Sequence, residues 1–361
     1  MNSNFDLLSI LNSRNMKVLT ILFSLLFFYT ATFAQGNSLH ESQFVRIGGI
    51  EQWVTIDGED LSKPLILFIH GGPGSTMSPY ANAMYAGWEK DFILVNWDQR
   101  GAGKTYGRNI PTEVDVDFYI ENPLTVEQMV EDGIEVTRYL LKKLNKEKLV
   151  LVGTSWGSIL GAKMALANPE LFHAYIGHAQ FVNFEKNIFH AYEETLSLVK
   201  ASKDEPAKEK LEVLGKPPYD NAQKYGQLLR IVKKYEADRS VAAPEFWWKI
   251  AAEYDNEKDN KARYDGDDYS FLNLVGHQKL GIKSMVSEID FMRDGLVFEV
   301  PVFLIQGQND ILTSMELNKV YFDKIIAPEK QYAIAESAGH GHNQEIVNKQ
   351  LEFVKKAFSG K

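Results

Sequence analysis

The sequence predicts an α/β protein with a doubly wound, mostly parallel sheet and an inserted helical segment. Three observations predict it. Continuous apolar runs at 65–69, 92–95 and 149–152 have the character of strands buried on both faces, as in parallel sheets. A helical pattern separates the second run from the third, so strands alternate with helices. From about Phe184 to Phe298 buried-strand runs disappear, and they resume at 300–305 and 332–334.

Taken in order, the chain begins with the pattern of a secretory signal. Lys17 precedes a 16-residue run, 18–33, broken only by Ser and Thr, and Thr32-Phe33-Ala34 forms a small-x-small cleavage pattern. The run falls short of the roughly 20 residues of a spanning helix, so cleavage is expected over retention as a membrane anchor. Met16 is a second candidate start. Residues 44–56 read as two strands around Gly48-Gly49. The helix from Val126 carries apolar residues at 129, 130, 134, 140, 141 and 144, with Thr125 as N-cap. After the 149–152 run a helix is expected over 158–167, closed by Asn168-Pro169, then a fourth strand around 174–176. The last helix is expected over 344–358. The expected organisation is a signal at 1–34, a core at 35–183, a helical cap at 184–298 and the rest of the core at 299–361.

Composition narrows the function classes. The 361 residues are 45% hydrophobic and 24% charged, which suits a globular protein. The net charge of -9, with no long basic run, argues against nucleic acid as partner. The absence of Cys excludes thiol catalysis and disulfides, and none of the eight His lies in an H-E-x-x-H arrangement. No cofactor and no metal are expected. With the signal, the pattern points to an exported bacterial protein, periplasmic or secreted, with no stable membrane association after cleavage.

The chemistry centres on Gly153-Thr154-Ser155-Trp156-Gly157, a G-x-S-x-G between a strand and a helix. Such a turn is so tight that its flanks must be small, and it lifts the Ser hydroxyl clear of the sheet. A Ser nucleophile needs a His base, a carboxylate to fix the His tautomer, and donors for the developing oxyanion. Asp310 follows the 300–305 strand and His340 follows the 332–334 strand, in the chain order Ser, acid, base expected of this arrangement. Asp290 and Asp294 are rivals for the acid, His342 for the base and Ser158 for the nucleophile. The first two lie in the insertion, Ser158 sits inside the helix, and His342 suits the start of the last helix. Two glycines at 71 and 72, after a buried strand, leave backbone N–H groups unshielded. The amides of Gly72 and Trp156 are the expected oxyanion pair. His70 is expected to brace its loop rather than act as a base, and Asp98 and Arg100 to form a structural ion pair rather than bind substrate.

HGGPG at 70–74, WDQRGAGKT at 97–105, GTSWGS at 153–158, GQND at 307–310 and AGH at 338–340 together resemble the proline iminopeptidase family of α/β-hydrolases. The resemblance spans 70–340 and implies the α/β-hydrolase fold, Ser155 as nucleophile, Asp310 as orienting acid, His340 as base and Gly72 with Trp156 as oxyanion donors. It also implies release of an N-terminal residue, often Pro, from short peptides without a cofactor. Two departures stand out. Thr105 replaces the usual Ser, and the cap motif in which a Glu follows a Trp and binds the substrate amine has no counterpart after Trp247-Trp248, where Lys249 follows. The substrate-binding candidates in the cap are therefore Glu245, Glu253, Trp247 and Trp248.

The leading expectation is a serine aminopeptidase acting on small peptides through an acyl-enzyme. An esterase or amidase using the same three residues on a non-peptide small molecule stays open beside it, as does a ligand-binding module with an idle site. An Asp-nucleophile enzyme is disfavoured because position 155 is Ser. The oligomeric state is not legible.

Overall fold

The computed structural model describes residues 38–111 and 113–359. The signal expected at 1–34 lies outside them. Eight strands form one sheet in the order β1-β2-β4-β3-β5-β6-β7-β8. They are β1 (Leu39–Ile47), β2 (Ile50–Gly58), β3 (Leu65–Ile69), β4 (Ile93–Asp98), β5 (Leu149–Thr154), β6 (Phe172–His178), β7 (Val302–Gly307) and β8 (Lys330–Ala335). The hairpin β1–β2 turns at Gly48 and Gly49, both at positive φ, and β2 joins β4 antiparallel. From β4 to β8 every pairing is parallel.

The apolar runs become strands because both of their faces are covered. Leu65, Leu67 and Ile69 of β3, with Leu149 and Leu151 of β5, pack on one face under the long helix. Ile66, Phe68, Val150 and Val152 pack on the other, against the last helix through Phe353 and Val354. Alternation sends successive side chains to opposite faces, so β4 presents Ile93, Val95 and Trp97 to the first face and Leu94 to the second.

The α-helices are α1 (Ala81–Met84), α2 (Gly103–Asn109), α3 (Val116–Glu121), α4 (Val126–Leu144), α5 (Trp156–Ala167), α6 (Phe184–Ser202), α7 (Glu205–Leu214), α8 (Ala222–Ala237), α9 (Glu257–Val275), α10 (Phe291–Asp294), α11 (Met315–Lys324) and α12 (Gln344–Phe358). Thr125 caps α4 by accepting the amide of Gln128 at 3.1 Å, and Asn145 ends it at φ 51. Between β6 and β7 lie α6 to α10 and no strand of the sheet. α9 is pinned back to the core through Lys104. The Nζ of that residue lies 2.6 Å from Asp259 and over the rings of Trp53 and Tyr254, 5.0 and 4.7 Å from their centroids.

One expected ion pair is corrected. Arg100 does not pair with Asp98. Its Nε lies 2.8 Å from Asp132 of α4, while Asp98 accepts Thr76, Ser78 (2.6 Å) and the amide of Lys104 (2.9 Å). The reason is the strand period. Asp98 ends β4 with its side chain on the face of Leu94, and α4 packs on the other.

Candidate active site

Gly153 and Gly157 flank Ser155 because nothing larger fits. A Cβ on Gly153 would lie 2.3 Å from the carbonyl oxygen of Gly157, and one on Gly157 would lie 2.1 Å from that of Ile69. Ser155 itself sits at φ 55 and ψ -121, a conformation L-residues rarely adopt, held by its amide donating to the carbonyl of His178 at 2.9 Å. That strain projects the hydroxyl from the end of β5 toward the loops after β7 and β8.

Those loops bring the three sequence-predicted residues together. His340 Nε2 lies 2.8 Å from Ser155 Oγ, and His340 Nδ1 lies 3.1 and 3.2 Å from the two oxygens of Asp310. Asp310 is 6% exposed and is oriented by the amide of Thr313 at 2.8 Å and by Gln306 Nε2 at 3.0 Å. Burial of the His340 ring opposes its protonation. The charge and hydrogen bond of Asp310, with the charge of Glu236, outweigh it and hold the imidazole above its ordinary value.

The other expected residues sort into two groups. Gly72 and Trp156 line the same cavity as Ser155, a space of about 60 Å³. The Trp156 amide stands at the first position of α5, where a helix has no internal acceptor to offer. The remaining walls are apolar, among them Phe181, Phe184, Ile188 and Phe271. A groove of about 490 Å³ shares Phe184, Ile188 and Tyr225 with this cavity but does not include Ser155. By contrast, Glu245 and Glu253 are exposed and line none of these spaces, and Trp247 is buried in the core on the second face of the sheet. Trp248, 45% exposed, lines a wider cleft of about 460 Å³ that also touches His340.

The residue that sequence reading missed is Glu236, at the end of α8. It lines the same cleft as His340. Its Oε1 accepts the amides of Ile311 at 2.6 Å and Leu312 at 3.2 Å, the two residues after Asp310. Among the described residues no donor reaches Oε2. Burial, then the charge of Asp310, push its carboxyl up to about 7. The signal for it was present. Tyr235-Glu236 is an aromatic residue followed by Glu, with Tyr where the expected motif has Trp.

The rivals occupy structural positions. His70 Nδ1 lies 2.8 Å from the carbonyl oxygen of Gly71 and its Nε2 accepts the amide of Gln99 at 3.2 Å. Burial pushes it down to about 4, so the ring is neutral and braces the loop. Gln99 completes the brace by donating to the carbonyl of His70 and accepting from Trp156 Nε1, both at 2.9 Å. Ser158 is fully buried and donates to the carbonyl of Ser155. His342 contacts His178, ring centroids 4.9 Å apart, just before Asn343 caps α12. Asp290 caps α10.

Residues 64–342 match the family model for the alpha/beta hydrolase fold. The chain is 28% identical over 296 residues to a probable aminopeptidase, YbaC, of Bacillus subtilis strain 168, covering 81% of this chain and 88% of that protein. It is 31% identical over 150 residues to a putative proline iminopeptidase of Mycoplasma genitalium, covering 41% of this chain and 43% of the relative. Among solved structures, the proline iminopeptidase of Mycobacterium smegmatis superposes with a TM-score of 0.62 at 18% identity, over 88% of this chain and 98% of that one, a likeness of fold.

Proposed function

The chain belongs to the α/β-hydrolase family, a family of enzymes, and from that premise we propose that it is a serine aminopeptidase releasing one N-terminal residue from short peptides. The observation that carries the reading is the continuous hydrogen-bonded line from Ser155 Oγ through His340 to Asp310. In the proposed mechanism His340 Nε2 takes the Ser155 proton as Oγ attacks the scissile carbonyl, and Asp310 stabilises the imidazolium that forms. The amides of Gly72 and Trp156 receive the oxyanion. His340 then protonates the departing amine, and water deacylates Ser155.

Glu236 is the proposed anchor for the substrate ammonium group. One oxygen is committed to the Ile311 and Leu312 amides and the other is free. A cation placed beside a carboxylate raised to about 7 lowers it again, so binding and ionisation reinforce each other. The cavity of about 60 Å³ beside Ser155 suits one small apolar side chain, since a single water needs about 10–15 Å³ of such space. Helices α6 to α10, within 184–298, are the proposed cap that closes this pocket to large proteins. The relatives named as aminopeptidase and proline iminopeptidase support the same reading. Residues 1–34 are proposed to direct export to the periplasm or beyond, which N-terminal sequencing of the exported protein tests. No helix of the described residues is long and apolar enough to cross a membrane.

The uncharged walls of the small pocket favour a second reading, hydrolysis of a small apolar ester or non-peptide amide. One assay separates the two. A fluorophosphonate should label the wild type and not Ser155→Ala, and turnover of prolyl and other aminoacyl amides should exceed that of acyl amides lacking the amine. Absence of labelling and turnover would remove both readings, and ester cleavage without aminoacyl-amide cleavage would remove the peptidase.

A further inference from the structure

A second cavity, of about 190 Å³, also touches Ser155 and Gly72, but it runs along the other face of the sheet. Its walls include Phe68, Val152 and Asn96 from β3, β5 and β4, together with Met77 and Tyr85. His340 lines this cavity as well as the cleft of Glu236, and it does not line the small apolar one. A base that has taken the Ser155 proton returns it to the leaving group, so the leaving group departs on the side where the imidazole stands.

Asn96 is the unusual member of that wall. It is 4% exposed, and its Oδ1 is buried without a partner. Other buried side-chain amides behave differently. Gln52 and Gln306 are bonded through Nε2 to Asp132 and Asp310, and Asn187 and Asn318 each keep at least one bond. A buried acceptor without a partner is costly, and the side chain that carries this one forms part of the cavity wall. A primary amide offers one acceptor and two donors in a plane, the complement of another amide group. The cavity carries no Lys, Arg, Asp or Glu, and burial keeps its two other histidines, His70 and His342, neutral by pushing each down to about 4.

We propose that this cavity is the leaving-group subsite and that Asn96 recognises an amide in the leaving group, such as the peptide bond following the residue after the scissile bond. The inference rests on Ser155 being the nucleophile. In the step concerned the bond from Ser155 Oγ to the acyl carbon forms and the bond to the leaving nitrogen or oxygen breaks. The Ser155 proton passes through His340 to that leaving atom. An uncharged subsite favours an amide there over a free carboxylate, so tripeptides and dipeptide amides are better substrates than dipeptides.

The test holds the acyl group constant. Three esters of one small amino acid, with glycolamide, glycolate and propanol as leaving groups, are compared in wild type and Asn96→Leu. Each forms the same acyl-enzyme, so differences report on leaving-group recognition. The glycolamide ester should exceed the glycolate ester in the wild type. The kcat/KM ratio of glycolamide to propyl ester should fall about tenfold in Asn96→Leu, the loss expected for an unmade neutral hydrogen-bond pair. Asn96→Ala, with the same expectation, serves if the Leu variant does not fold. An unchanged ratio overturns the subsite and means the cavity holds water only. A wild type that turns over no ester and resists fluorophosphonate overturns the serine-hydrolase reading, and this inference falls with it.

Discussion

Glu236 Oε1 accepts the amide of Ile311 at 2.6 Å, tying the end of α8 to the residue next to Asp310 across 75 positions of sequence. A Cβ on Gly339, beside His340, would lie 3.3 Å from Glu236 Cβ, so the same helix end also packs on the loop of the base. On the proposed reading the carboxylate has two duties, holding the Asp310 loop and presenting a charge to the cleft. The two are separable. Glu236→Gln keeps an acceptor for the amides and removes the charge. KM for aminoacyl substrates should rise about tenfold to a hundredfold, the range of a charge-assisted hydrogen bond, with a much smaller change for acyl substrates lacking the amine. Glu236→Ala should in addition lower stability by about 1–3 kcal/mol, because two amides lose their acceptor. An equal effect on both substrate classes in the Gln variant would assign the residue to structure alone.

The pH profile follows from His340. The base must be neutral to accept the Ser155 proton, and its pKa is raised above the ordinary 6.5. Activity is therefore present above the raised value and is lost as pH falls through it. The acid limb of kcat/KM should lie above 6.5 and should move down in Glu236→Gln, which removes one of the negative charges holding the imidazolium. KM has a narrower window. It requires the Glu236 carboxylate, at about 7, and a protonated substrate amine, whose usual pKa is about 8. A limb at or below 6.5 that ignores the Gln substitution would contradict this electrostatic account.

Ile188 walls the small cavity beside Ser155 and is 2% exposed. Ile188→Ala should enlarge the pocket and shift preference toward larger apolar N-terminal residues, read as a rise in the kcat/KM ratio of leucyl to alanyl substrates. Truncating a buried Ile also costs about 2–5 kcal/mol, so Ile188→Val, with a smaller gain in space, provides the folded control. A ratio unmoved in both variants would place the substrate side chain elsewhere.

Lys104 anchors α9 through Asp259 and two aromatic faces. Both charged groups are largely shielded, with side-chain exposures of 17% and 15%, so removing one leaves the other partly desolvated and unpaired. Lys104→Ala should lower unfolding stability by about 1–3 kcal/mol. Limited proteolysis should cut first within 257–275. Wild-type stability and an unaltered cleavage pattern would show that the contact is incidental.

The parts legible in the sequence are those governed by short-range physics. Buried runs mark the parallel strands because both faces of such a strand must be apolar. The 126–144 helix declares itself by its period and its Thr125 cap. Gly153 and Gly157 mark the elbow because a Cβ would strike backbone oxygens there. The order Ser155, Asp310, His340, each behind its own strand, made their convergence legible as well. What tertiary structure alone decided is the pairing of groups far apart in the chain. Arg100 meets Asp132 because β4 sends Asp98 to the other face. Glu236 meets the Asp310 loop, and Glu245 and Glu253 do not, because only the docking of α8 determines which of many exposed-looking acids is buried. A helix's period says which side of it is wet, but not which loop will stand against its end. The geometry around Ser155 was therefore written locally, and the surroundings of the proposed substrate site were written in the packing.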